Sequence, residues 1–253
     1  GWLYYPPGYD AARKYPLLQL MHGGPHTMIG DAWSARWNAH VFTAPGYVAT
    51  WVNRHGSTGF GEKFSQSILG QWGDKPLEDI LKSTDYLLAK LPNLDPKRMA
   101  AAGGSYGGYM AAWVAGHTDR FAAAASQCPV INWLSFVGTT DGSSWYYNFA
   151  KYPWDDPSEH LKRSPLMYVG NVKTPTMLMT GVNDLRTPIG QTEEFYEALK
   201  IRKVPTAMIR FNNEWHGTSS TPSNFIRTQL YLRSWFDTYQ TPPKGQRVTP
   251  NQQ

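Results

Sequence analysis

The run Gly103-Gly104-Ser105-Tyr106-Gly107-Gly108-Tyr109 carries a Gly-x-Ser-x-Gly signature. It lies between a short apolar run, Met99-Ala100-Ala101-Ala102, and the apolar, helix-forming segment Tyr109-Met110-Ala111-Ala112-Trp113-Val114-Ala115. A serine at a sharp turn between a buried strand and a helix is a nucleophile elbow, with its hydroxyl lifted above the sheet edge. The glycines have a mechanical role, because side chains at those positions would collide with the neighbouring strand or helix. A glycine-rich turn that merely contains a serine would not need this strand-then-helix setting.

An elbow of this kind needs a base and an acid, which follow it along the chain in the order Ser, Asp or Glu, His. His117 lies on the same helical segment, about 18 Å along its axis, too far to take the serine proton, and suits the negative end of the helix instead. His160 sits in a polar, proline-punctuated stretch with no strand and acidic loop before it. His216 is the best candidate. It lies in Asn212-Asn213-Glu214-Trp215-His216-Gly217-Thr218, after the strand-like Ala207–Phe211 and before an amphipathic segment at 223–239. By order alone the acid could be Asp119, Asp141, Asp155, Asp156 or Asp184. Asp184 is best placed, in a loop after the apolar run Thr176–Thr180, at the carboxyl end of a predicted parallel strand, where catalytic groups gather in open α/β sheets. It could also cap the helix that begins near Pro188.

Acyl transfer through Ser105 would also need donors for an oxyanion. Tyr106, directly after the nucleophile, offers one backbone N–H. The second is expected from His22-Gly23-Gly24-Pro25, just after the strand-like Leu17–Met21. Pro25 has no N–H, so Gly24 is the expected donor. His22 and His26 are four residues apart, but the intervening Gly-Gly-Pro forbids the helix that would align them on a metal, so no metal site and no cofactor is expected.

The elements that must position these groups read as one alternating pattern. Strand-like runs fall near 17–21, 47–53, 99–102, 122–126, 175–180 and 206–211, and helix-like segments near 33–43, 77–91, 107–116, 189–201 and 223–239. Such alternation predicts a mostly parallel sheet with helices on both faces. Residues 139–165, rich in Trp, Tyr, Asp, Ser and Pro, interrupt it as an irregular insertion expected near the site. One catalytic domain is expected over 1–240, followed by a polar tail at 241–253. The 253 residues suffice for one large core. The single cysteine, Cys128, excludes an internal disulfide. A net charge of +5 spread over a chain with only 17% charged residues contains no dense basic run, so nucleic acid is not an expected partner. No apolar stretch approaches the ~18 residues of a membrane span. The chain opens on Gly1-Trp2-Leu3-Tyr4-Tyr5, a strand-like run without an initiator methionine, which reads as a piece of a longer chain, a processed chain or an engineered one and leaves localisation open.

These landmarks together resemble the catalytic domain of the prolyl oligopeptidase family of serine peptidases, with the acylaminoacyl-peptidase and dipeptidyl-peptidase branches most similar. The resemblance runs from about Tyr4 to Tyr239. It rests on His22–Pro25, Asn53-Arg54-His55-Gly56-Ser57-Thr58-Gly59-Phe60-Gly61, Gln71-Trp72-Gly73, Gly103–Tyr109, His117-Thr118-Asp119-Arg120-Phe121, Ser164-Pro165 and Asp184. It implies the α/β-hydrolase fold, the triad Ser105, Asp184 and His216, and a peptide or acyl-peptide substrate, with short-chain esters as the alternative. It also implies that Val130, Trp133 and Phe136, in Cys128–Phe136, line a hydrophobic specificity pocket beside Tyr106. Family members usually carry a β-propeller upstream, so one is expected in the natural protein, and the family's first catalytic-domain strand is expected to precede Gly1. The local sequence Trp215-His216-Gly217 departs from the family's usual histidine loop.

Overall fold

Among the described residues, the architecture follows from seven strands in a single sheet, ordered β1-β3-β2-β4-β5-β6-β7. The structure is a computed structural model and describes residues 1–34, 36–142 and 144–240. The strands are β1 (Trp2–Tyr4), β2 (Tyr15–Met21), β3 (Val48–Trp51), β4 (Leu94–Gly104), β5 (Ala123–Gln127), β6 (Thr176–Gly181) and β7 (Thr206–Phe211). β1 pairs antiparallel with β3, and every other pairing is parallel. Three strands lie on either side of β4, so the segment leading to Ser105 runs through the middle of the sheet. β2 is buried along its whole length, as expected for a parallel strand covered on both faces.

The period-2 alternation of each strand separates two cores. Leu17, Met21, Met99 and Ala101 point to the face covered by α3 (Asp74–Lys90) and α4 (Tyr106–His117). On that same face Ala124 and Leu178 meet α4 and α7 (Ile189–Ile201). Leu18, Leu20, Ala100 and Ala102 point to the opposite face, where Phe42 of α1 (Ala39–Thr43) and Leu232 and Phe236 of α8 (Pro222–Gln240) complete the core. Tyr106 through Gly116 are all buried, so α4 is apolar on every side, as a helix at the centre of a domain must be. The remaining helices are short: α2 (Glu62–Gln66), α5 (Trp133–Thr139) and α6 (Ser158–Lys162). Among the described residues no helix is long and apolar enough to cross a membrane.

The helix expected at 33–43 is reduced to α1. Trp37 has φ +54°, outside the helical region, and the Asn38 side chain accepts from the His40 N–H, which starts the helix at Ala39. The strand expected at 99–102 begins earlier, at Leu94, and absorbs Pro96 where its register with β2 shifts. The described residues of 139–165 carry a 3-10 turn, Trp145–Asn148, and α6, and a second 3-10 turn, Pro165–Asn171, opens at their end. The tail predicted for 241–253 lies outside the described residues.

Candidate active site

Ser105 joins β4 to α4 with φ +60° and ψ −122°, a conformation that an L-residue adopts only where its surroundings hold it. Its N–H donates to Gln127 O at the end of β5, at 2.8 Å, which pins the turn to the neighbouring strand. The turn closes because Gly107 has no side chain: a Cβ there would stand 2.0 Å from Met21 O at the end of β2. Tyr106 is the first residue of α4, so its N–H has no acceptor inside the helix.

Asp184 and His216 come from the loops after β6 and β7. The two loops meet at Gly181, where an added Cβ would lie 2.3 Å from Glu214 O and 2.4 Å from Trp215 O. His216 Nδ1 donates to Asp184 Oδ2 at 2.8 Å. The other carboxylate oxygen accepts from the backbone N–H groups of Arg186 (2.9 Å) and Thr187 (3.0 Å). Thr187 Oγ1 lies 2.9 Å from both Asp184 Oδ2 and Cys128 O, and its one proton serves them in turn. Burial alone would raise the Asp184 pKa, but the hydrogen bond and charge of His216, with the Thr187 bonds, outweigh it and hold the carboxyl below its ordinary range. With Nδ1–H committed to the carboxylate, Nε2 keeps its lone pair free to accept a proton.

His216 is the more exposed partner, with 27% of its side chain accessible and none of that of Asp184. Its backbone carbonyl accepts from Cys128 Sγ at 3.3 Å and from Arg36 Nη2 at 3.2 Å. Glu214, two residues earlier, is fully buried and accepts from Ser220 N, Thr221 N and Asn224 Nδ2, tying the histidine loop to the start of α8. Nothing in the local sequence marks Glu214 for this task, because its partners act only once α8 has folded back.

Ser105, Gly23, Gly24 and His216 line one cleft of about 640 Å³, together with Ile29, Trp37, Trp51, Trp145, Arg36 and Arg186. Among the described residues no hydrogen bond links Ser105 Oγ to the imidazole; catalytic bonds of this type are commonly long without substrate. Gly23 reaches the nucleophile closely, since a Cβ on it would lie 3.2 Å from Ser105 Cβ. Sequence reading did not single out Trp37, Trp145 or Arg36. For Trp145 the signal was the aromatic insertion at 139–165.

The other candidates fall elsewhere. Val130, Trp133 and Phe136 are buried, and none is among the described residues lining the cleft. Trp133 packs edge-on against Trp72 (ring centroids 4.3 Å apart), Phe149 (4.8 Å) and Phe136 (5.3 Å), and Trp72 in turn meets Tyr106 at 4.8 Å. Trp133 thus stands one ring, that of Trp72, behind Tyr106, Phe136 lies beyond Trp133, and Val130 belongs to the same core cluster. His117 stacks on Trp113, and His160 meets Phe149 at a tilt, both away from the cleft lining. Asp155 and Asp156 lie in the turn region before α6, where Asp156 pairs with Lys151 at 3.1 Å. His22 and His26 bond separate partners, Ser57 Oγ and Gly56 O. Cys128 Sγ, an Asp184 carboxylate oxygen and a His216 ring nitrogen lie within 4.8 Å of one another, the kind of donor set a soft cation could take, but Asp184 and His216 already satisfy each other.

Comparison with known proteins agrees with this geometry. The sequence profile of the prolyl oligopeptidase family matches residues 33–241. The Bacillus subtilis protein called uncharacterized peptidase YuxL is 37% identical over 241 residues, covering 94% of this chain and 36% of the relative. Dipeptidyl-peptidase 5 of Schizosaccharomyces pombe is 32% identical over 237 residues, covering 92% of this chain and 35% of the relative. The chain therefore spans about a third of the length of these relatives. Pyrococcus horikoshii acylaminoacyl peptidase superposes with a TM-score of 0.90 at 28% identity, over 97% of this chain and 41% of the other. With the elbow, the Asp184–His216 pair and the parallel sheet that carries them, these matches place the chain in the prolyl oligopeptidase family.

Proposed function

We propose that residues 1–240 form the catalytic domain of a serine peptidase that cleaves peptide or acyl-peptide bonds through an acyl-enzyme. Ser105 Oγ attacks the scissile carbonyl while His216 Nε2 takes its proton. Asp184 holds the imidazole in the Nδ1–H tautomer and stabilises the imidazolium that forms. The backbone N–H groups of Gly24 and Tyr106 receive the oxyanion. The imidazolium then protonates the leaving amine, and water repeats the sequence in reverse to release the acyl group. The observation that carries this reading is the 2.8 Å Asp184–His216 bond, at a cleft that also contains the strained Ser105.

The peptidase reading is favoured over an esterase because the family is one of peptidases and the relatives are named as such. The names of the relatives suggest two substrate types, N-acylated peptides and peptides that release an N-terminal dipeptide. The expected upstream β-propeller belongs to the same proposal, as does a pocket in which Val130, Trp133 and Phe136 set the space beside Tyr106. The test is fluorophosphonate labelling of Ser105, followed by kcat/KM on acyl-aminoacyl and dipeptidyl anilides and on matched p-nitrophenyl esters. Labelling without any anilide cleavage would overturn the peptidase reading.

A further inference from the structure

Arg54 has no part in the acid–base chemistry, yet it is one of the largest fully buried side chains. Among the described residues no carboxylate pairs with it. Its guanidinium donates to three backbone carbonyls: His22 O from Nη2 at 2.9 Å, and Pro25 O and His55 O from Nη1 at 3.4 and 3.3 Å. One flat face lies over the Tyr106 ring, with the guanidinium carbon 4.1 Å from the ring centroid. A buried cation held by loop carbonyls and a ring face, with its Nε left without a partner, is an expensive way to fill space.

Its contacts converge on one object. His22 and Pro25 flank Gly23-Gly24, and Tyr106 follows the nucleophile. The carbonyl of Gly23 belongs to the peptide unit whose N–H is that of Gly24. That carbonyl accepts from His22 Nδ1 and from Thr27 Oγ1, each at 2.8 Å. Because a carbonyl can only accept, Nδ1 carries the His22 proton, and Nε2 accepts from Ser57 Oγ at 2.8 Å. Burial and then the nearby Arg54 charge push the His22 pKa down to about 3, which keeps the ring neutral and this tautomer intact. The Gly24 peptide is thus aimed by His22, and the backbone of His22 is held by Arg54.

We propose that Arg54 is a positioning residue that fixes the two oxyanion donors relative to each other, its edge on the carbonyls around Gly24 and its face on the ring of Tyr106. The proposal rests on the reading of Gly24 and Tyr106 as the oxyanion donors. A planar fork can meet the carbonyls in its plane while stacking on a ring above it, which an ammonium group cannot do. Donors misplaced by a fraction of an ångström lose the developing charge of the transition state while substrate binding is little changed.

The test uses Arg54→Lys and Arg54→Met, each titrated with a fluorophosphonate so that rates are per competent site. The expected result is a fall in kcat of about 10- to 100-fold with KM within about threefold of wild type. The Ki of a peptide aldehyde, which forms a tetrahedral adduct on Ser105, should rise in parallel, and the Ki of the matching peptide amide should stay constant. Arg54→Lys is the milder change and decides the matter if Arg54→Met does not fold. A purely structural role would lower the melting temperature and the titrated fraction but leave kcat per site and the aldehyde-to-amide ratio unchanged, and that result would overturn the proposal. If wild type itself binds the aldehyde no better than the amide, the oxyanion reading fails instead.

Discussion

Replacing Asp184 by Asn exchanges one carboxylate oxygen for an NH2 group at a site whose hydrogen bonds are all assigned. The carboxylate accepts from the backbone N–H groups of Arg186 and Thr187 on one oxygen and from His216 Nδ1 on the other. The two backbone donors can only be met by the amide oxygen, so the amide NH2 is forced into the Oδ2 position, 2.8 Å from His216 Nδ1. A donor there is compatible only with an unprotonated Nδ1. The proton moves to Nε2, and the base can no longer accept from Ser105. In acyl-transfer triads this wrong tautomer costs about 10⁴ in kcat, or about 5.5 kcal/mol of barrier at 1.36 kcal/mol per decade. The fold loses far less, because both backbone bonds survive: about 1–2 kcal/mol, or roughly 2–8 °C in Tm for a domain of this size. The assay is kcat on an anilide with sites titrated in parallel, alongside a melting curve. Asp184→Asn retaining more than a tenth of wild-type turnover, with Asp155→Asn or Asp156→Asn inactive, would refute the assignment. The sign of the pH effect is a second check. The Asp184 pKa is depressed in the folded state, so its contribution to stability is present above the ordinary carboxylate pKa and disappears as pH falls through the folded value. Tm measured from pH 7 down to 3 should therefore fall less steeply on the acid side in Asp184→Asn than in wild type.

Ser105→Ala should abolish fluorophosphonate labelling and lower turnover by on the order of 10⁴-fold or more, measured against the titrated wild type, and full labelling of the variant would place the nucleophile elsewhere. Gly107→Ala should yield little labelled protein and a lowered Tm, because its Cβ would stand 2.0 Å from the Met21 carbonyl; a variant that labels at the wild-type rate would show that the elbow does not need this close approach. Trp133→Ala should destabilise by about 3–5 kcal/mol, as for a fully buried indole, a Tm loss of roughly 6–20 °C. If the same variant accepts larger side chains in an anilide panel, Trp133 shapes the pocket; unchanged preference confines it to the core.

What could be read from the chain was what local rules encode. The span of α7 was legible to the residue at 189–201, and α8 to within one residue at each end. Both are amphipathic and bounded by proline or a strand. The elbow was legible because a glycine pattern and two apolar runs lie within seventeen residues. The segment 33–43 misled because its aromatic residues resemble a helical stripe. Trp37 instead turns its side chain into the cleft and its backbone to positive φ, and Asn38 restarts the chain as a cap. The tasks of Arg54 and Glu214 were not legible: Arg54 serves two carbonyls 29 and 32 residues away, and the partners of Glu214 come within its reach only once the chain turns back into α8. Motif residues announce the reacting atoms, whereas the groups that orient them are identified by contacts that exist only after folding.

The three loops that supply the proposed triad are anchored unequally, and the order of anchoring fits the order of events in acyl transfer. Asp184 is fixed from several directions and wholly buried. Ser105 is held by the strained turn and by Gln127. His216 keeps a partly exposed ring, held through its own carbonyl by a weak thiol donor and an arginine, and through Glu214 two residues away. The base must face Ser105 during attack and the leaving amine afterwards, positions that differ by a small swing of Nε2. A ring pivoting on a fixed Nδ1–carboxylate bond can make that swing without losing its tautomer. A fully packed imidazole could not, and one without Asp184 behind it would lose the tautomer. The rigid member sets which proton His216 carries, and the looser one moves it.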